Sequence, residues 1–243
     1  MPNINELTKE VARKEMILFF IIDTSSSMIG NKIDSVNKSI KETIPELKEM
    51  TNADAKVKIA VLNFASGAEW QTPQPVDIEA FYWNDLQANG LTDFGEACTM
   101  LNEKLSRKAF MNNTIGNYAP AIVLISDGYP TDNYKKGLEL LNKNNWFKNS
   151  IKVALAVGSD ADKNILAEFT GNNESVIEIH NKKTLMKIIR FVSVRASQIA
   201  STSCIVSENN DSDIPQKQQQ LNDSLIDLNN ITIDDIDDDV EFP

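Results

Sequence analysis

Apolar runs of strand length alternate with stretches of helical period along this 243-residue chain, which predicts an α/β fold: a doubly wound, mostly parallel central sheet with helices on both faces. Two further observations agree. The runs are apolar along nearly their whole length, as strands buried on both faces must be. A carboxylate, Asp23 or Asp127, closes two of them. In open sheets of this kind ligands bind beyond the carboxyl ends of the strands, where strand order reverses, so these aspartates are the first candidates for function.

The elements follow in order. Met16 to Asp23 reads as the first strand and Lys32 to Met50 as a helix, because Ile33, Val36, Ile40, Ile44 and Leu47 recur at spacings of three and four. Pro45 inside that stripe is expected to kink the helix or divide it. Lys56 to Phe64 is the second strand, and Ala68 to Thr72 adds an antiparallel edge strand after the Ser66-Gly67 turn. Helices are expected over Phe94 to Ser106, Asn133 to Trp146, Asp162 to Phe169 and Thr184 to Ala200. Strands are expected over Ala121 to Asp127, Ile151 to Val157 and Val176 to Ile179. Thr184, ahead of Leu185, Ile188, Ile189 and Val192, is the expected N-cap of the last helix. Thr131 and Asp132 are expected to cap the helix that follows them, and His180 to lie on the surface.

Composition divides the chain into an extension (residues 1–13), one domain (14–202) and an acidic tail (203–243) expected to be disordered. The net charge of −11 belongs to the tail, where eleven carboxylates face only Lys217, leaving −1 for the first 202 residues. Nothing in a near-neutral body suggests nucleic-acid binding, which needs a basic face, and no nucleic-acid partner is expected. The polar start is unlike a signal peptide and no apolar run is long enough to span a membrane, so a cytoplasmic location is expected, with Cys98 and Cys204 as free thiols. Leu221, Leu225 and Leu228 fall at helical spacing within the tail, a segment that a partner could fold.

The chemistry gathers at three loops. Asp23, Ser25 and Ser27 form a D-x-S-x-S at the end of the first strand, and alternate residues of an extended segment point the same way. Thr92 lies in NGLTDFGEA, where Gly90 and Gly95 permit a tight approach, and Asp127 ends the AIVLISD strand. If the strands of Asp23 and Asp127 are neighbours, their carboxylates repel unless one is protonated or a cation sits between them. Two carboxylates, three hydroxyls and water make an all-oxygen set suited to Mg²⁺ or Mn²⁺. No His or Cys lies near these motifs, which disfavours zinc.

DTSSS at 23–27, GLTDFGEA at 90–97 and LISDGYPTD at 124–132 together resemble the metal-ion-dependent adhesion site (MIDAS) of the von Willebrand factor A (vWA) family, over roughly residues 14–200. The resemblance implies the Rossmann-like vWA fold. It implies that Ser25, Ser27 and, in one conformational state, Thr92 bind the cation directly, while Asp23 and Asp127 act mostly through water. A vacant coordination position would then accept an Asp or Glu from a protein partner. LISDGYPTD and RFVS at 190–193 look like the bacterial TerY-like branch, linked to tellurite and stress resistance, whose companions include a protein kinase and a protein phosphatase. Asp93 departs from the usual small or neutral residue and would weaken anion capture if it faced the ion. The zinc-binding extension of some TerY-like relatives is absent, since nothing after Cys204 is Cys or His.

The function expected is a metal-dependent protein-interaction module in an intracellular stress-response or signalling assembly, not an enzyme. The alternative is a metal-dependent phosphatase-like hydrolase using Asp23. Such an enzyme wants a second carboxylate two residues on, where this chain has Ser25, and no P-loop, G-x-S-x-G or nearby His supports it. The acidic tail is itself a candidate to fill the vacant position.

Overall fold

The computed structural model describes residues 14–49, 55–159, 161–181, 183–185, 187–192, 216 and 218–224. One sheet contains β1 (Lys14–Asp23), β2 (Ala55–Ala65), β3 (Gly67–Trp70), β4 (Val76–Asp77), β5 (Ala121–Ser126), β6 (Ile151–Val157) and β7 (Val176–Ile179). The order is β3-β2-β1-β5-β6-β7, with β4 also paired to β2. β1, β2, β5, β6 and β7 run parallel, while β3 and β4 run antiparallel to β2. The chain winds outward from β1 to β2, then crosses back to place β5 on the other side of β1. Strand order therefore reverses between β1 and β5, beside Asp23 and Asp127.

Helices cover both faces: α1 (Asn31–Glu49), α2 (Phe94–Lys104), α3 (Tyr134–Lys143), the single turn α4 (Asn145–Lys148) and α5 (Lys163–Thr170). Residues 183–185 and 187–192 form α6, and residues 218–224 form α7. Alternate side chains of β1 feed the two layers. Met16, Leu18, Phe20 and Ile22 pack with Val36 and Ile40 of α1 and Ile188 of α6. Ile17, Phe19 and Ile21 pack with Leu101 of α2, Leu141 of α3 and Phe169 of α5. No helix among the described residues is long and apolar enough to cross a membrane.

Four local expectations are corrected. Of the two outcomes expected at Pro45, a kink or a division, division does not occur: α1 is continuous from Asn31 to Glu49. Pro45 and Lys41 lie on its exposed side, so the Lys41 carbonyl that loses its amide partner faces water. The expected helix from Asn133 to Trp146 is two pieces, broken at Asn144, whose side chain accepts from the Trp146 and Phe147 amides to start α4. Asn181, not Thr184, caps α6, since its side-chain oxygen accepts from the Thr184 amide at 2.9 Å. The fourth correction concerns the tail.

Residues 218–224 are helical and seated on the body. Leu221 is fully buried in the layer that holds α1 and α6. Gln218 accepts from the Lys152 backbone amide and donates to the Lys152 carbonyl, both at 3.0 Å. β7 first pairs at Ala154, so the Gln218 side chain supplies the rung of the ladder that β7 does not reach. Asn222 accepts from the Ser175 hydroxyl at 3.0 Å. Apolar spacing read correctly for a helix at Leu221, but the surface that receives it belongs to this chain. Residues 1–13, the boundary at 202, Cys204, Leu225, Leu228 and the acidic run at 234–241 lie outside the described residues.

Candidate metal centre

Asp23 ends β1 fully buried, and its carboxylate is held from both sides. One oxygen accepts from the Ser25 amide at 2.8 Å and the other from the Ser126 hydroxyl at 2.6 Å. Ser25 is extended, with φ −68° and ψ 171°, and residues 26–28 then tighten into a 3-10 turn. This brings the Ser25 and Ser27 hydroxyls to 2.9 Å from each other, Ser25 buried and Ser27 exposed. Burial pushes the Asp23 carboxyl up to about 6 from its ordinary 3.8; the bonds from Ser126 and Ser25 oppose the shift, and the charge of Asp127 adds to it.

Asp127 follows β5 directly and is also fully buried. Neither of its carboxylate oxygens has a hydrogen-bond partner. The Lys32 ammonium stands 3.7 Å from one of them. Buried polar atoms are nearly always hydrogen-bonded, so a buried carboxylate with neither oxygen bonded, close to the Asp23 carboxylate and the Ser25 and Ser27 hydroxyls, has the chemistry to receive a cation.

The Thr92 loop is locked to both other loops. The Ser26 amide donates to the Gly90 carbonyl at 3.1 Å, with Gly90 at φ 79°, a conformation that favours glycine. The Thr92 amide donates to the Thr131 hydroxyl at 2.9 Å, and the Thr131 amide donates back to the Thr92 carbonyl at 2.8 Å. Thr92 lines a small cleft together with Ser126 and Gly128, the two neighbours of Asp127. All five residues singled out in the sequence therefore meet at one end of the sheet.

Three neighbouring roles differ from expectation. Thr131 and Asp132 do not cap the helix after them: Thr131 holds the Thr92 loop, and Asp132 accepts from the Glu96 amide at 3.2 Å, capping α2 instead. Asp93 is engaged at the β2–β3 turn, its carboxylate accepting from the Gly67 amide at 2.7 Å. His180 is exposed, as expected. Ser126 and Lys32 were missed. Ser126 stood next to Asp127 in sequence; Lys32 carried only the weak signal of a lysine four residues before Val36, on the inward side of α1.

The oxygen donors present are chemically suited to a divalent cation: Asp23 and Asp127 would supply its anionic pair and the hydroxyls of Ser25, Ser27 and Thr92 neutral oxygens. A doubly wound sheet carrying an oxygen-only cluster at its switch point defines a class of ligand-binding α/β domain. The model of the von Willebrand factor type A domain matches residues 18–190, and the chain belongs to that family. No curated protein matches its sequence.

Solved structures are similar in fold at low identity. A von Willebrand factor type A protein from Catenulispora acidiphila is 16% identical, with TM-score 0.55 over 75% of this chain and 43% of that one. The pilus adhesin SpaC from Lactobacillus rhamnosus GG is 12% identical, with TM-score 0.57 over 76% of this chain and 30% of that one. Proximal thread matrix protein 1 from the mussel byssus, described with a zinc-occupied MIDAS motif, is 21% identical, with TM-score 0.53 over 76% of this chain and 46% of that one. The chain thus spans less than half the length of these three structures. Domains of this family often mediate protein interactions through a divalent metal at the MIDAS.

Proposed function

We propose that the chain is a metal-dependent protein-interaction module whose cation, Mg²⁺ or Mn²⁺, is held by Asp23, Ser25, Ser27, Thr92 and Asp127 and takes an Asp or Glu side chain from a partner. The observation that carries this reading is the pair of buried, unbonded Asp127 oxygens beside Asp23 and the two serine hydroxyls. Few direct carboxylates leave such an ion short of negative charge, which favours an anionic sixth ligand. The rim supports a protein as its source. Ile29 is 60% exposed, Leu91 58% and Tyr129 50%, and each sits on one of the three site loops. Apolar side chains around a polar socket suit a partner whose carboxylate is flanked by apolar residues.

The reading extends to a TerY-like, cytoplasmic protein in a stress-response or signalling assembly, with a protein kinase or phosphatase among its partners; the LISDGYPTD and RFVS motifs support this. Binding rather than catalysis is proposed because Asp23 is fully buried and both its oxygens already accept hydrogen bonds, a poor arrangement for a nucleophile. Isothermal titration with Mg²⁺ and Mn²⁺ is expected to show one site that disappears in Asp23→Ala, and affinity capture in Mg²⁺ but not in chelator should retain the partner. Absence of divalent binding by the wild type at millimolar concentration would sink the proposal.

A further inference from the structure

Lys32 is the second residue of α1, and its side chain is only 5% exposed. Enclosure of this degree is unusual for a lysine, because an ammonium loses its hydration on burial and recovers the loss only from a close counter-charge. The contrast with Lys58 and Glu15 is instructive: that pair keeps 23% and 12% of its side chains exposed at a contact of 2.7 Å. Lys32 is more deeply enclosed and faces a fully buried carboxylate, at the longer distance of 3.7 Å. The separation is too long for a direct hydrogen bond, and both Asp127 oxygens remain unbonded. Charge, not a fitted contact, relates the two groups.

We infer that Lys32 is the resident cation of the metal centre: its ammonium balances the Asp127 charge when no metal is bound, and an arriving divalent ion must take over that role against it. The inference rests on the metal-site reading above and adds to it the residue that sets how tightly the ion is held. Without metal, Asp23, Asp127 and Lys32 sum to a single negative charge when both carboxyls are ionised. A divalent ion entering among them meets a positive charge near its own anionic ligand, and Coulomb repulsion at this range in a partly solvent-shielded site is large. Weak binding at rest is the consequence. The socket fills when a partner's carboxylate arrives to add the negative charge that Lys32 has offset, so metal and partner bind cooperatively.

The test uses the full chain. Isothermal titration of Mn²⁺ is run on the wild type, Lys32→Met, which keeps the length of the side chain without its charge, and Lys32→Arg, which keeps the charge. Lys32→Met is expected to bind on the order of 10- to 100-fold tighter than the wild type, with Lys32→Arg near or below the wild-type affinity. Thermal melting in chelator should show Lys32→Met less stable than the wild type, with saturating Mn²⁺ closing the gap. Equal or weaker binding by a folded Lys32→Met overturns the inference while leaving the metal site intact, as does a Lys32→Arg that binds as tightly as Lys32→Met. If Lys32→Met folds only when Mn²⁺ is present, the ion has replaced the ammonium and the inference stands. A variant unfolded even at saturating Mn²⁺ overturns it. Failure of every chain to bind a divalent ion removes the metal-site reading itself, and this inference with it.

Discussion

At the scale of single residues, Asp23 shows burial and hydrogen bonding competing over one carboxyl. Its two hydrogen bonds favour the ionised form, yet burial outweighs them and holds the carboxyl at about 6. Between 3.8 and about 6, native protein keeps a proton that the unfolded chain has released. The Asp23 contribution to stability of the metal-free protein is therefore fully present below the unfolded value and is lost as pH rises through the folded one. It amounts to about 3 kcal/mol at 1.36 kcal/mol per pH unit. Urea unfolding in chelator from about pH 4 to about pH 7 should show this decline, and Asp23→Asn should remove it. Divalent binding should strengthen over the same window, because the ion needs the carboxylate. Asp23, Ser25 and Ser27 were legible in sequence because their geometry is local, set within five residues of one strand end. The Ser126–Asp23 bond was not, since it joins positions 103 apart and depends on which strands are neighbours.

At the scale of elements, the Thr92 loop is held by the way α2 meets α3. Gly137 of α3 lies against Gly95 of α2 so closely that a Cβ on Gly137 would stand 2.2 Å from the Gly95 carbonyl oxygen. Two effects of Gly137→Ala oppose each other. Helix propensity would favour alanine by about 1 kcal/mol, while overpacking against backbone costs about 1–3 kcal/mol or more. A contact of 2.2 Å with a backbone atom cannot be relieved by a rotamer change, so the clash wins. Gly137→Ala should lose about 2 kcal/mol in thermal or urea unfolding and loosen divalent binding through α2. The five parallel strands were legible as apolar runs too short for helices and bounded by turn residues, whereas the two-residue β4 gave no such signal. Caps were misread: Thr131, Asp132 and Thr184 all had suitable chemistry beside a helix. Their partners were decided by tertiary approach, Asp132 reaching the start of α2 and Asn181 the start of α6.

At the scale of the molecule, the candidate site and the anchor of α7 lie at opposite ends of the sheet. The five site residues sit beyond the carboxyl ends of β1 and β5, while α7 is fastened at Lys152 and Ser175, near the amino ends of β6 and β7. Helical spacing flagged the segment around Leu221, but the sequence could not show that this chain receives it, because the contacts at Lys152 and Ser175 join positions 66 and 47 apart. The Gln218 amide fills the place of a strand for one residue, satisfying both backbone groups of Lys152. A chain cut after residue 202 loses that amide and Leu221 together, and the start of β6 becomes an open edge with unpaired donors and acceptors. Such edges recruit strands from other molecules. Size-exclusion chromatography with light scattering should find the chain ending at 202 self-associated and the chain ending at 224 as monodisperse as the full length; equal behaviour of the two would refute it. Gln218 and Leu221 thus act as a clasp over the start of β6, and protection of that edge is what the comparison of the two truncations measures.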